Sequence, residues 1–188
     1  MGDDGKFYVP SESVSVYRDE ILSQADVITP NSFETELLTG IKVVTKSDAI
    51  DACAILHGKG VRNVIVTGLP SNGDEILLVG SYYQQNRDAL PERLCDATSL
   101  GERVVFSIAI PTIAAKFTGA GDIFSALLLG YLSQDTFDMQ AAVEKAVSST
   151  YGVLKRTYEG GGGELRVIES KGLIEQPQIL FRATRECV

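Results

Sequence analysis

The sequence predicts an α/β domain of three layers on a mostly parallel central sheet. Three observations carry this. Apolar residues alternate along the chain between helix-period runs and short β-branched runs. The run at 63 to 67, Asn-Val-Ile-Val-Thr, has the near-continuous apolar character of a strand buried on both faces. A helical segment precedes that run, which favours a parallel crossover. With 188 residues, 44% of them hydrophobic, the chain can bury one core, and residues 1 to 188 are read as a single domain.

The elements follow in order. Residues 11 to 22 are expected to be a helix, with Ser11 or Ser13 as cap and Val14, Tyr17 and Ile21 on one face. A short strand at 25 to 29 ends at Pro30, which cannot extend a hydrogen-bond ladder. The next helix spans 31 to 38 and closes at Gly40. Ser47 then caps a helix that carries Ile50, Cys53, Ala54 and His57 and stops at Gly58 and Gly60. After the strand at 63 to 67 come two more, at 75 to 82 and 103 to 110, expected to be antiparallel and joined by a polar connection over 83 to 102. Residues 123 to 132 are almost wholly apolar, so the helix they form is expected to be buried on most of its circumference. A long helix spans about 138 to 157. The four glycines at 160 to 163 read as a flexible surface connection rather than a phosphate loop, because no strand leads into them and no helix follows directly. A strand, a helix and a strand complete the chain.

Composition excludes several classes of function. A formal charge of −8 argues against a nucleic-acid surface. The longest apolar run, at 123 to 132, is far short of the ~20 residues that span a bilayer. Cys53, Cys95 and Cys187 are odd in number and widely spaced, which fits reduced thiols in a cytoplasmic protein. The single His57 is expected near the end of a surface helix, with nothing nearby to orient it for catalysis.

The most informative stretch is Thr-Gly-Ala-Gly-Asp at 118 to 122, opening the apolar helix. The first N–H groups of a helix lack intrahelical partners and, with the helix dipole, favour negative charge. Gly119 and Gly121 let the main chain come close to an anion, and Asp122 stands where a substrate hydroxyl could meet a phosphoryl group. Read alone, the same residues are a tight turn with Asp122 as an ordinary N-cap. Asn31 and Glu34, three apart at a helix start, likewise form either a capping pair or a metal-side pair.

Three segments together resemble a known family. TGAGD with its apolar helix is similar to the anion-hole signature of the ribokinase-like superfamily, and ADVITPNSFETELLTG at 25 to 40 resembles that superfamily's strand, T-P-N and N-x-x-E element. MGDDGKFYVPSESVSVYRDEIL at 1 to 22 is similar to the segment after the D-P-V block of pyridoxal kinases, and ELRVIESKGLIEQPQI at 164 to 179 to their C-terminal end. The resemblance implies ATP-dependent phosphorylation of the 5′-hydroxymethyl group of pyridoxal, pyridoxine or pyridoxamine. Asp122 would be the catalytic base, and the amides of Gly119, Ala120, Gly121 and Asp122 would hold the transferring phosphate. Asn31 and Glu34 would act on Mg²⁺ and its waters at the phosphate end of ATP. Asp3 would lie near the metal, with Asp4 an equal candidate on composition, and Thr29 beside a monovalent cation, K⁺ or Na⁺. Thr67 and Gly68, at a strand end, and Ile113, Ala115, Phe117 and Thr118, before the signature, would contact the nucleotide; apolar residues at the latter positions are equally expected of a core.

Two residues depart from the pattern. Lys116 stands where sugar kinases of the superfamily carry Asp, which favours a vitamin kinase, and Ala120 replaces the Thr more common in pyridoxal kinases. Met1 matches an internal Met of the family, so the resemblance implies a chain truncated at its N-terminus, lacking most of the vitamin pocket and inactive alone, and a homodimer when full length. A hydroxymethylpyrimidine kinase and a catalytically silent nucleotide-binding fragment are the alternatives.

Overall fold

The structure is a computed structural model that describes residues 2–3, 6–71, 73–84, 101–133 and 138–187. Cys95, Asp4 and most of the 83 to 102 connection lie outside the described residues. Backbone contacts gather into two compact units, Met1–Ser107 with Thr184–Val188, and Ile108–Ala183.

The first unit begins with β1 (Gly2–Asp3) and β2 (Lys6–Phe7), paired antiparallel with Gly2 opposite Phe7. Its larger sheet runs in the order β3 (Val27–Ile28), β4 (Asn63–Pro70), β5 (Glu75–Tyr83), β6 (Arg103–Pro111) and β7 (Thr184–Arg185). The sheet is mixed. β3 and β4 are parallel, as expected for strands joined through the helices α2 (Ser32–Thr39) and α3 (Lys46–Gly58), whereas β4 with β5 and β6 with β7 are antiparallel. Val64, Ile65 and Val66 are fully buried, which is why this run lacks the alternation of a half-exposed strand. Ala49, Ala52, Cys53 and Leu56 from α3 pack with Val64, Val66 and Val79 as the core. Gly80 on β5 lies under the Phe106 ring, and a Cβ there would meet the ring directly.

Local chemistry explains the element ends and three corrections. The helix expected at 11 to 22 is α1 (Ser13–Val16), continued by a π-helical turn Tyr17–Ile21 and a 3₁₀ turn Leu22–Gln24. Neither Ser11 nor Ser13 caps it: Glu12 precedes it without a side-chain cap bond, and Leu22 rather than Tyr17 or Ile21 is buried. Thr45, not Ser47, caps α3. Its side chain accepts from the Asp48 N–H at 3.2 Å, while the Asp48 carboxylate accepts from the Thr45 N–H at 2.8 Å, a reciprocal box that begins two residues before the serine. His57 is buried, not on the surface, and both its nitrogens have partners: Nδ1 lies 2.7 Å from the Val61 carbonyl and Nε2 lies 2.8 Å from Ser81 Oγ. The thiol of Cys53, deep in the same core, is pushed up to about 12 by burial, so it behaves as a small apolar side chain.

The second unit is built on α4 (Ala120–Leu132) packed against α5 (Met139–Glu159). Asp138 caps α5, accepting from the Ala141 N–H at 3.0 Å. Only Phe124, Leu128 and Tyr131 of α4 are buried and Leu129 is 71% exposed, so within its unit this helix is buried along one stripe rather than round most of its circumference. The glycine run is a hydrogen-bonded turn rather than a loose loop: Gly161, Gly162 and Gly163 all have positive φ, Gly162 N–H donates to the Thr157 carbonyl at 2.8 Å, and Arg166 Nη2 donates to the Gly160 carbonyl at 2.8 Å. Of the strand, helix and strand expected after it, only the helix and the closing strand β7 are present among the described residues. A 3₁₀ turn (Ile168–Ser170) and the short α6 (Lys171–Glu175) lead to the terminal segment, where the buried Glu144 carboxylate accepts from the Ala183 N–H and from Arg182.

Candidate functional site

The residues singled out from the sequence fall in both units, and each unit is described by itself. In the first, the chain leaves β3 at Pro30 and turns into α2 at Asn31. Thr67 N–H donates to the Pro30 carbonyl at 2.9 Å, and Asn31 bridges to Thr67, so the end of β4 and the start of α2 lie side by side. Beyond Thr67 the ladder to β5 slips between Val66 and Leu69, a bulge that Gly68 makes by taking φ 71°. Thr67 is half-buried and Gly68 exposed, which places them at the open rim of the strand rather than in the core. Thr29, half-buried, immediately precedes this turn.

Asn31 and Glu34 form a complete capping box. Asn31 Oδ1 accepts from the Glu34 N–H at 2.8 Å, and Glu34 Oε2 accepts from the Asn31 N–H at 3.0 Å. Two further bonds reach β1: Asn31 Nδ2 donates to the Gly2 carbonyl at 2.8 Å, and the Gly2 N–H donates to Glu34 Oε1 at 3.4 Å. The backbone of Asp3 is thereby held one residue from Glu34. Spacing alone revealed the box. The tie to Gly2 joins residues 29 and 32 positions apart, and no local pattern signals it.

The second unit carries the signature. Gly119 takes φ 84° and serves as the N-cap of α4 with no side chain to cap it. Asp122 is therefore the third residue of the helix and not its cap, which removes the simplest alternative for this residue. The first intrahelical bond joins the Ile123 N–H to the Gly119 carbonyl at 3.0 Å, so the amides of Ala120, Gly121 and Asp122 precede the ladder. A Cβ on Gly121 would meet nothing within 4 Å, and one on Gly119 would meet only the Leu165 side chain. Asp122 and Thr118 are exposed. Ahead of them, Ile113 and Phe117 are half-buried and Ala115 is exposed, so within this unit these residues form an accessible strip rather than a core. Leu165, which sequence reasoning missed, stands behind Gly119 and lines a cavity of about 350 Å³ with Gly162, Arg166 and Glu169.

The donor chemistry suits a particular class of metal. Among the described residues no three His, Cys, Asp or Glu cluster to enclose an ion. A single half-buried carboxylate such as Glu34 is the donor set Mg²⁺ uses, since it retains waters and takes its remaining oxygens from phosphate. An all-protein cage of the zinc or calcium type is not built from these residues.

The chain is similar to known proteins over nearly all of its length. The family model described as phosphomethylpyrimidine kinase matches residues 2–167. The pyridoxal kinase of Arabidopsis thaliana is 38% identical over 98% of this chain and 59% of its own length, and that of Bos taurus is 34% identical over 98% and 62%. The structure of Plasmodium falciparum PdxK with AMP-PNP and PL superposes with a TM-score of 0.84 at 30% identity, covering 100% of this chain and 58% of that one. Pyridoxal kinase from Leishmania donovani in complex with ADP and pyridoxamine gives 0.85 at 29%, covering 100% and 60%. The chain thus spans about three fifths of the length of the relatives it matches.

Proposed function

The chain belongs to the phosphomethylpyrimidine kinase family, and we propose that it works within an ATP-dependent kinase that phosphorylates the 5′-hydroxymethyl group of pyridoxal, pyridoxine or pyridoxamine. The observation that carries this reading is the start of α4. There Gly119 at φ 84° presents three helix-start amides without a side-chain cap, and Asp122 follows them in the open. That is a cradle for an anion with a carboxylate beside it. The relatives' complexes with ADP, an ATP analogue and B6 vitamers support the choice of nucleotide and acceptor.

The reaction then divides among the residues. The vitamin hydroxyl oxygen forms a bond to the γ-phosphorus as the bond to the β–γ bridging oxygen breaks and its electrons leave with ADP. Asp122 accepts the hydroxyl proton. The amides of Ala120, Gly121 and Asp122 hold the equatorial oxygens as charge spreads over them. Glu34 and Asn31 would act on Mg²⁺ and its waters, and Mg²⁺ would supply charge neutralisation at the phosphates. Thr67, Gly68 and the strip of Ile113, Ala115, Phe117 and Thr118 contact the nucleotide. Asp3 would lie near the metal and Thr29 beside a K⁺ or Na⁺ ion. A homodimer in the cytoplasm completes the proposal; no helix among the described residues is long and apolar enough to cross a membrane.

The test is a substrate panel on the protein as its cell makes it, with MgATP and each of the three vitamers beside hydroxymethylpyrimidine. Phosphate is expected on the 5′-oxygen of a B6 vitamer. Preferential phosphorylation of hydroxymethylpyrimidine would move the protein to the related pyrimidine activity, and nucleotide binding without transfer to any acceptor would make it a silent binding protein.

A further inference from the structure

Asn31 uses the two ends of its amide for two different elements. Oδ1 closes the cap of α2 through the Glu34 N–H, while Nδ2 reaches the Gly2 carbonyl at 2.8 Å. The hairpin of β1 and β2 is also seated by packing. Gly2 is buried, and a Cβ there would meet the Lys6 carbonyl and would lie 2.8 Å from the Phe33 ring, so only glycine lets the hairpin lie this close to α2. The Phe7 and Phe33 rings meet edge to face with centroids 5.5 Å apart. Phe33 lies between Asn31 and Glu34 in the chain, so one four-residue turn supplies the tether, the packing surface and the carboxylate.

We propose that Asn31 is a positioning residue that docks the β1–β2 hairpin onto the start of α2, and that this docking sets the spacing between the Asp3 backbone and the Glu34 carboxylate. The functional half of this inference rests on the Mg²⁺-side reading of Glu34 given above; the tether itself does not. The hairpin has two paired residues per strand and no sheet behind it in the described pairing, so it has little stability of its own. Its position is set by what it is tied to. Loss of the Asn31 Nδ2 bond therefore loosens the hairpin selectively, because the helix cap uses the other end of the same side chain.

Asn31→Asp separates the two roles, since aspartate is as good an N-cap as asparagine but has no donor for the Gly2 carbonyl. Native-state hydrogen exchange on the chain, without ligand, is expected to show amides of residues 2 to 7 exchanging faster by on the order of tenfold, the equivalent of one lost hydrogen bond, with amides of α2 unchanged. Gly2→Ala should loosen the same segment without touching Asn31. The Mg²⁺ concentration that half-saturates nucleotide binding should rise several-fold in both variants. Unchanged exchange at residues 2 to 7 in both would overturn the tether. Faster exchange with an unaltered Mg²⁺ requirement would overturn the positioning role. If the wild-type chain does not bind MgATP at all, the kinase reading fails instead, and the exchange data alone then decide whether the tether stands.

Discussion

Glu34 is the residue at which two demands meet. Its Oε2 completes the cap of α2 and its Oε1 accepts a long bond from Gly2, while the proposed function asks the same carboxylate to act on Mg²⁺. Glu34→Gln keeps an oxygen for the Asn31 N–H and removes the charge. If Glu34 acts on Mg²⁺, the variant needs several-fold more Mg²⁺ for half-maximal nucleotide binding while its unfolding midpoint stays close to wild type. An unchanged Mg²⁺ requirement would leave Glu34 as a cap and nothing more. The pair was legible in the sequence because a capping box is a local pattern, Asn and Glu three residues apart at a helix start. Gly2 was not, because its carbonyl becomes a partner only when β1 folds back across 29 residues of chain. Asp122 shows the same division. Its place after two glycines was visible, but that Gly119 and not Asp122 caps α4 depends on a left-handed φ that a sequence does not state.

At the scale of elements, the strands and the long helices were readable from periodicity, and the misreadings have physical causes. Thr45 caps α3 two residues before the expected Ser47, and Asp48, three after Thr45, is the reason: amides of Thr45 and Val44 hold its carboxyl below the usual range, as a cap acceptor requires. In the sequence His57 reads as a surface residue because it sits in the last turn of α3, where the chain ordinarily meets solvent. Burial instead makes it a link among three elements. Its Nε2 meets Ser81 on β5, and Arg103 at the start of β6 donates to the same Ser81 oxygen at 3.0 Å and to the Ile50 carbonyl of α3 at 3.0 Å. Tyr83 lies edge-on to the imidazole at 4.8 Å. In the arrangement these partners favour, Nδ1 donates to Val61 and Nε2 accepts from the Ser81 hydroxyl, which requires a neutral ring.

Burial above all, and the Arg103 charge with it, hold the His57 pKa below its ordinary 6.5, against the Val61 carbonyl, which raises it. The unfolded chain therefore takes up the proton first as pH falls. The stability this link contributes is complete above the unfolded pKa near 6.5 and is lost progressively below it. Urea unfolding between about pH 7.5 and 5.5 is expected to show a midpoint that drops with pH in the wild type and drops less in His57→Gln, which cannot titrate. An equal drop in both would assign the acid sensitivity to carboxylates elsewhere.

On the scale of the whole molecule, family membership follows from a match over residues 2–167, and the likeness to pyridoxal kinase structures extends over the full chain. What the sequence made legible at this scale was the order of three motifs. It conveyed antiparallel strands at 75 to 82 and 103 to 110 but not their partners, β4 for β5 and β7 for β6, because strand pairing depends on connections whose lengths alone do not fix it. The start of α4 is proposed to hold a transferring phosphoryl group with Asp122 as the base. Phosphorus NMR of the protein as its cell makes it, with MgATP and pyridoxal, wild type beside Asp122→Asn, is the test. The wild type is expected to form ADP and pyridoxal 5′-phosphate in equal amounts, and the variant to do so ~10²–10⁴-fold more slowly while binding MgATP as tightly. Transfer by Asp122→Asn within threefold of the wild-type rate would contradict the claim.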